Sequence, residues 1–245
     1  IRTLKDAVIN TNRELMLLGE VPEGASILDA GCGVGGSSIF LAKEKNCRAK
    51  GITLSARQVA TATKYAEQHG VQDLVQFEQK DYTNTAYDAD SFDMAWAIES
   101  MQTAQDKSLF FKEIARILKP GGRLLIADCF KSHLYNIQEE PHMLTMLNGW
   151  AISDILTLAE LENLAGAHGL QLVSRRNVSQ EIKPSVSRIY WAALAGMIGT
   201  KAYNLIYNAT YFSKIHYKTG LAQYKTYRKG LWDYELLALQ KILKM

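Results

Sequence analysis

The chain has 245 residues, 47% hydrophobic and 22% charged, enough apolar material to build a core without disulfide or metal staples and too much for a disordered polymer. Its formal charge of +3 is too small to argue for a nucleic-acid partner, and none is expected. No uninterrupted apolar run reaches the roughly eighteen residues a membrane-spanning helix needs.

Cys32, Cys47 and Cys129 have no metal-like spacing and no even count, which suits reduced thiols in a cytoplasmic compartment and gives no metal site. The first residue is Ile1 rather than Met and no secretory signal opens the chain, which points to an upstream segment lost before this start.

In chain order, residues 2–19 pattern as an amphipathic helix, with Leu4, Val8, Ile9, Leu15 and Leu18 near helical spacing, stopped by Pro22 and Gly24. Ser26–Ala30 reads as a strand, Ser37–Asn46 as a helix opening from a glycine loop, and Arg48–Thr53 as a second strand. Ser55–Gly70 is a helix with Ser55 as N-cap and Gly70 as its stop. Val75–Gln79 and Phe92–Ala97 are strands. Lys107–Leu118 is a helix ended by Pro120-Gly121-Gly122, and Arg123–Cys129 is a fifth strand. Ile152–His168 reads as a helix, Leu170–Arg175 as a sixth strand and Trp232–Gln240 as a seventh. Such alternation predicts an α/β fold: a seven-stranded, mostly parallel sheet with helices on both faces. In such sheets ligands sit beyond the C-terminal strand ends, which aligns Asp29–Gly36, Thr53, Asp81, Ile98–Met101 and Asp128 along one edge.

The stretch "ILDAGCGVGGSS" from Ile27 places Gly31, Gly33 and Gly36 in the G-x-G-x-x-G pattern of nucleotide-binding loops. A dinucleotide site also wants an acid about 20 residues on, and there "KGITLS" offers Thr53 instead. Asp29, two residues before the first glycine, is an odd neighbour for a pyrophosphate. It suits a ligand that carries positive charge, such as S-adenosylmethionine (SAM), with its ammonium and sulfonium. Asp29 could hold the ammonium directly or through water, or orient the loop, while glycines without a Cβ let the backbone approach the ligand.

"ILDAGCGVGG", followed by "GITLSARQ", "KDYTN", "FDMAWAIES" and "LKPGGRLLIADCF", resembles the successive motifs of class I SAM-dependent methyltransferases over about residues 1–180. The "GITLS" and "ES" variants resemble the small-molecule subgroup that includes tocopherol and sterol methyltransferases. The resemblance implies a Rossmann-like class I methyltransferase fold, SAM as cofactor, and roles at matching positions. Asp29, Gly31 and Gly33 would line the methionine part. Thr53 and Gln58 would replace the usual ribose-binding acid. Asp81, with Tyr82 beside it, would meet the adenine amino group, and Ala97 and Ile98 would pass the methionine end.

A general base helps if the nucleophile is a phenol, ammonium or carbon acid. The candidates are Asp128 at the end of the fifth strand, His133 in the loop after it, and Glu99 at the end of the fourth. The subgroup's acid and histidine after "ES" are replaced by Gln102 and Thr103, which shifts weight to Asp128 and His133. Ile98-Glu99-Ser100-Met101 is unlike the Asn/Asp-Pro-Pro-aromatic motif of adenine and glutamine methylation.

Residues 181–230 form an insertion between strands six and seven, expected as a helical substrate cap within a single domain spanning 1–245. No Asp or Glu occurs from Ile182 to Trp232, while eight Lys and Arg do, and eight of the twelve tyrosines follow Arg188. A helix through "IYWAALAGMIGTKAYNLIYNATYF" would put Trp191, Leu194, Ala195, Ile198 and Leu205 near one face. Its basic residues either snorkel to water over a packed cap or surround a greasy pocket, with Trp191 and Tyr207 as substrate-binding candidates.

The expected reaction is methylation, preferably at carbon, of a small lipophilic or aromatic molecule, with peripheral membrane contact open and the oligomeric state undefined. The alternatives are N- or O-methylation of a natural product, prenyl diphosphate methylation, RNA methylation, or a SAM-binding module without catalysis.

Overall fold

A computed structural model of the chain describes residues 3–206 and 211–242. Two compact units emerge. The first comprises Ile1–Asp128, Ala159–Arg176 and Glu235–Met245, and the second Cys129–Leu158 and Asn177–Tyr234.

The first unit is built on a seven-stranded mixed sheet. Its strands are β1 (Ser26–Ala30), β2 (Arg48–Thr53), β3 (Val75–Gln79), β4 (Phe92–Ile98), β5 (Leu118–Lys131), β6 (Leu170–Asn177) and β7 (Trp232–Lys241), in the order β3-β2-β1-β4-β5-β7-β6. The β1–β2, β2–β3, β1–β4 and β4–β5 pairs are parallel. The central strands are nearly continuous apolar runs because both faces are covered: Ile27, Leu28, Ala95, Trp96, Leu124, Leu125 and Ile126 are all fully buried. The chain runs outward one way from β1 and the other way from β4. The gap between their C-terminal ends is therefore a topological switch point, where such sheets bind ligands.

Helices α1 (Leu4–Leu18), α2 (Gly36–Lys45), α3 (Ala56–Gln68), α4 (Lys107–Ile117) and α6 (Leu158–Ala167) accompany the sheet. Local chemistry sets several of their starts. Thr3 and Asp6 form a reciprocal capping box on α1, Ser55 accepts from the Gln58 N–H on α3, and Asp106 accepts from Ser108 and Leu109 on α4. One expected start is corrected. β5 begins at Leu118, not Arg123, because Leu118 pairs with Phe92 and Arg123 with Met94, so the Pro-Gly-Gly stretch is an irregularity inside the strand rather than a turn before it.

The second unit contains α5 (Pro141–Gly149), α7 (Lys183–Ile206) and α8 (Tyr211–Arg228), with α8 packed against both other helices. Pro141 stands in the first turn of α5, where its missing N–H is harmless. A Cβ on Gly149 would run into the Thr219 side chain, so the α5–α8 crossing is closer than any larger residue allows. Trp232 Nε1 donates to Thr226 Oγ1 at 2.9 Å, which ties α8 to the segment that follows it.

One further expectation is corrected in this unit. The helix expected from Ile152 starts only at Leu158, because Lys131 draws the preceding segment into extended pairing. The Lys131 N–H donates to the Leu156 carbonyl at 2.9 Å, Lys131 bridges to Thr157, and its ammonium sits 3.0 Å from Asp154. The expected helix is present as α7, where Trp191 and Ile198 are exposed, at 67% and 71%, and among the described side chains Val186 and Ala193 are buried.

Candidate functional site

The loop between β1 and α2 turns on positive backbone angles. Gly31 has φ +87° and Gly33 φ +53°, values that glycine adopts without a Cβ penalty. At Gly31 the space is closed as well: a Cβ there would lie 2.5 Å from Ser100 Cβ. The N–H groups of Gly31 and Cys32 both donate to the Ile52 carbonyl, at 3.0 and 2.9 Å, so the loop is pinned to the end of β2.

Asp29 is buried at 2% exposure, one residue before the end of β1, and its Oδ2 accepts from Ser38 Oγ at 2.6 Å. Ser38 lies in the first turn of α2, and the "GGSS" run contained it without distinguishing it. Burial pushes the Asp29 carboxyl up to about 6, against the opposing pull of the Ser38 hydrogen bonds. The hydroxyl and backbone hydrogen bonds of Ser38 offset this burial only in part, and a cation beside the carboxylate would return it to the ionised form. That chemistry fits an ammonium-bearing ligand and opposes a phosphate.

Ser100 joins the two strand ends flanking the switch point. Its hydroxyl donates to the Ala30 carbonyl at 2.6 Å, and its own carbonyl accepts from Thr103 Oγ1 at 2.6 Å and Tyr82 OH at 3.1 Å. Tyr82 also lies 2.7 Å from Thr103 Oγ1 and stacks edge-on against Phe110. Burial raises the Tyr82 phenol, and the charges of Asp81 and Asp128 add to the rise, so it remains a donor at neutral pH. Ser100 and Thr103 were missed as site residues. Ser100 was visible only as the second letter of "ES", and its coupling to Ala30 spans seventy positions.

The remaining expected cofactor residues take up separate positions along the same edge. Thr53 ends β2, and its hydroxyl donates to Gln58 Oε1 at 2.5 Å, so the pair expected to meet a ribose is already joined. Asp81 is exposed just beyond β3, with Oδ1 accepting from the N–H and hydroxyl of Thr83 at 2.8 and 2.7 Å. Ala97 is fully buried near the end of β4, while Ile98, its last residue, is half-buried and paired with Ala127.

Two acids stand level with the C-terminal end of β4. Glu99 directly follows it, and Asp128, expected at the end of the fifth strand, lies within β5, next to Ala127, the register partner of Ile98, because β5 runs on to Lys131. Glu99 has φ +50°, rare for a side chain with a Cβ, and its N–H is held by the Ala127 carbonyl at 2.8 Å. Asp128 is buried at 3% exposure, and its Oδ2 accepts from the Gln102 N–H at 3.3 Å. The structure thus brings Glu99, Ser100, Gln102 and Asp128 together, and the Gln102 contribution comes from its backbone, where side-chain identity gives no signal.

His133, Trp191 and Tyr207 belong to the second unit. His133 is exposed, with Nδ1 2.9 Å from Ser132 Oγ and its ring 5.3 Å from that of Tyr135. Trp191 is exposed and meets the Tyr190 ring edge-on at 5.4 Å. Tyr207 lies outside the described residues.

Residues 22–183 match the family described as a methyltransferase domain. The chain belongs to this family of SAM-dependent methyltransferase domains. Methyltransferase GfsG of Streptomyces halstedii is 33% identical over 171 residues, covering 68% of this chain and 60% of that protein. The 2-methyl-6-phytyl-1,4-hydroquinone methyltransferase of Synechocystis is 36% identical over 138 residues, covering 55% of this chain and 42% of that one. This methyltransferase-domain chain therefore spans only about half of these relatives' length. Among solved structures, a geranyl diphosphate C-methyltransferase from Streptomyces coelicolor A3(2), in complex with Mg2+, geranyl diphosphate and S-adenosyl-L-homocysteine, superposes with a TM-score of 0.75. At 20% identity, over 98% of this chain and 82% of that one, the likeness is one of fold. The expected fold and the methyltransferase-domain family stand, with SAM as the cofactor.

Proposed function

We propose that the chain methylates a small lipophilic or aromatic molecule, preferably at carbon, with SAM held along the C-terminal edge of β1, β2 and β4. The observation that carries the reading is Asp29, a buried carboxylate whose proton affinity burial raises despite its Ser38 hydrogen bonds, ahead of a glycine-rich loop. A phosphate-bearing cofactor would meet repulsion there, and a cationic amino acid moiety meets attraction. SAM supplies an electrophilic methyl group on its sulfonium.

What remains for the protein is to align a nucleophile, exclude water and accept a proton. Alignment supplies much of the rate in such a transfer. Asp128, within β5 beside the end of β4 and held by the Gln102 N–H, is the assigned proton acceptor or substrate-orienting group; His133 is the second candidate and Glu99 the third. The choice of carbon rests on the resemblance to the small-molecule subgroup alone, and the cap role of residues 181–230, the substrate contacts of Trp191 and Tyr207, and peripheral membrane contact rest on the sequence pattern. The named substrates of the phytylhydroquinone and geranyl diphosphate relatives support the lipophilic class.

The test is incubation with methyl-labelled SAM and a panel of prenylated quinols, phenols and prenyl diphosphates, followed by mass spectrometry of the labelled product. Label on a lipid-soluble small molecule is expected. Label recovered solely in RNA or protein, or tight SAM binding with no transfer to any of the panel, contradicts the reading.

A further inference from the structure

The acid-free stretch after Ile182 has a local consequence at the end of α8. Tyr224 and Lys225 stand one helical turn before Arg228 and Lys229, and with His142 from α5 the four line an open cavity of about 440 Å3. All five belong to the second unit.

A helix C-terminus is stabilised by a cation or two in its last turn, which accounts for one or two of these residues. It does not account for three cations in adjacent turns with a histidine brought to them by another helix. Of the three, Lys229 is paired with Glu140 at 2.9 Å. Lys225 and Arg228 have no ion-pair partner among the described residues. Tyr224 is fixed against the Tyr190 ring, with centroids 4.3 Å apart, so its hydroxyl is carried on a held ring. The lining side chains carry two ammonium groups, a guanidinium, a phenol and an imidazole as donors, on a wall that is otherwise mostly apolar.

We propose that this α5–α8 cavity binds a phosphate or diphosphate group. Guanidinium and ammonium donors around a concave site are the usual chemistry for phosphoryl oxygens, and the volume exceeds that of one phosphate, leaving room for a diphosphate or a phosphorylated headgroup. The group can come from a soluble phosphorylated molecule or from an anionic phospholipid. The site is independent of the SAM assignment.

His142 reports on occupancy. Burial, and then the charges of Lys225 and Lys229, hold its imidazole below the usual value, while Glu140 pulls it the other way. An anion in the cavity reverses the repulsion and raises the histidine, so binding strengthens as pH falls.

The experiment is histidine-selective NMR on the full chain, titrated between about pH 5 and 8 at constant ionic strength, with inorganic diphosphate or with chloride alone. The signal is assigned by His142→Gln. Diphosphate is expected to raise the His142 midpoint by at least about half a pH unit, with the exposed His69 unmoved. Lys225→Ala combined with Arg228→Ala is expected to abolish the rise, its fold checked by circular dichroism. Should that variant misfold, Arg228→Gln alone is expected to weaken diphosphate binding at least about threefold. Sedimentation with phosphatidylglycerol against phosphatidylcholine vesicles separates the sources: retention by the anionic vesicles, stronger at the lower pH and lost in the double variant, identifies a lipid headgroup. No movement of His142 with diphosphate and no selective retention by anionic vesicles overturns the proposal. So does a rise that survives the double substitution.

Discussion

Burial lifts the Asp29 carboxyl from 3.8 to about 6, which makes the ionised group a cost to the folded chain. The folded state binds this proton more tightly than the unfolded one, so the cost is absent below about pH 4, grows between pH 4 and 6, and is complete above, on the order of 3 kcal/mol. Asp29→Asn is therefore expected to raise the thermal midpoint at pH 8 and to leave it unchanged near pH 4, as calorimetric scans at the two pH values would show. The same substitution should weaken S-adenosylhomocysteine at least about tenfold at pH 8, because the charge facing the ammonium is gone. Asp128→Asn belongs to the other half of the chemistry. It is expected to lower kcat with SAM affinity intact, and a variant with full kcat would remove Asp128 from the proton-transfer role. Asp29 was legible because an acid near a strand end before glycines is a local pattern, and Asp128 because an acid closing an apolar strand run is one too, although β5 continues past it to Lys131. Ser38, Ser100 and the backbone of Gln102 were not, since their roles exist only once β1, β4 and β5 lie side by side.

At the scale of elements, α4 is docked through Glu113, whose Oε1 accepts from the Thr85 N–H at 2.8 Å and from Arg116 Nη2 at 2.8 Å. These hydrogen bonds overcome burial and hold the carboxyl down at about 2, below its ordinary 4.5. A lowered acid stabilises the fold above the unfolded value and loses that contribution as pH falls toward 2. Glu113→Gln should cost on the order of 2 kcal/mol at pH 7 and visibly less at pH 3, read from urea midpoints. The α5–α8 crossing makes a second case. Gly149→Ala should destabilise by about 1–3 kcal/mol through the Thr219 overlap, and Thr219→Ala in the same chain should restore most of it. Seven strands and most helices could be read from periodicity and caps, because their apolar spacing agrees with their final state. The failures have one cause. Lys131 recruits residues 154–157 by side-chain and backbone bonds, Leu118 pairs with Phe92 across a Pro-Gly-Gly irregularity, and neither partner is a sequence neighbour. Helix α5 escaped notice because "PHMLTMLNG" is short and buries only Met143, Met146 and Leu147.

For the whole molecule, the sheet order decides where chemistry can occur. Parallel strands diverging from β1 and β4 leave one crevice at their C-terminal ends, and the glycine loop, Ser100, Glu99 and Asp128 are all carried to that edge. Motif order along the chain made this placement readable in advance, because each motif ends a strand. The substrate was not readable, because the insertion proposed to contact it has a composition shared by caps, pockets and lipid-facing surfaces alike. The central claim is that this edge holds a cationic adenosyl ligand through Asp29. Isothermal titration calorimetry of the wild-type chain and Asp29→Ala with S-adenosylhomocysteine, and with NAD as the competing ligand class, tests it most directly. The account predicts saturable heat with S-adenosylhomocysteine, a loss of at least about tenfold in the variant, and none with NAD. Equal affinity in a folded Asp29→Ala, or saturable heat with NAD alone, would contradict it.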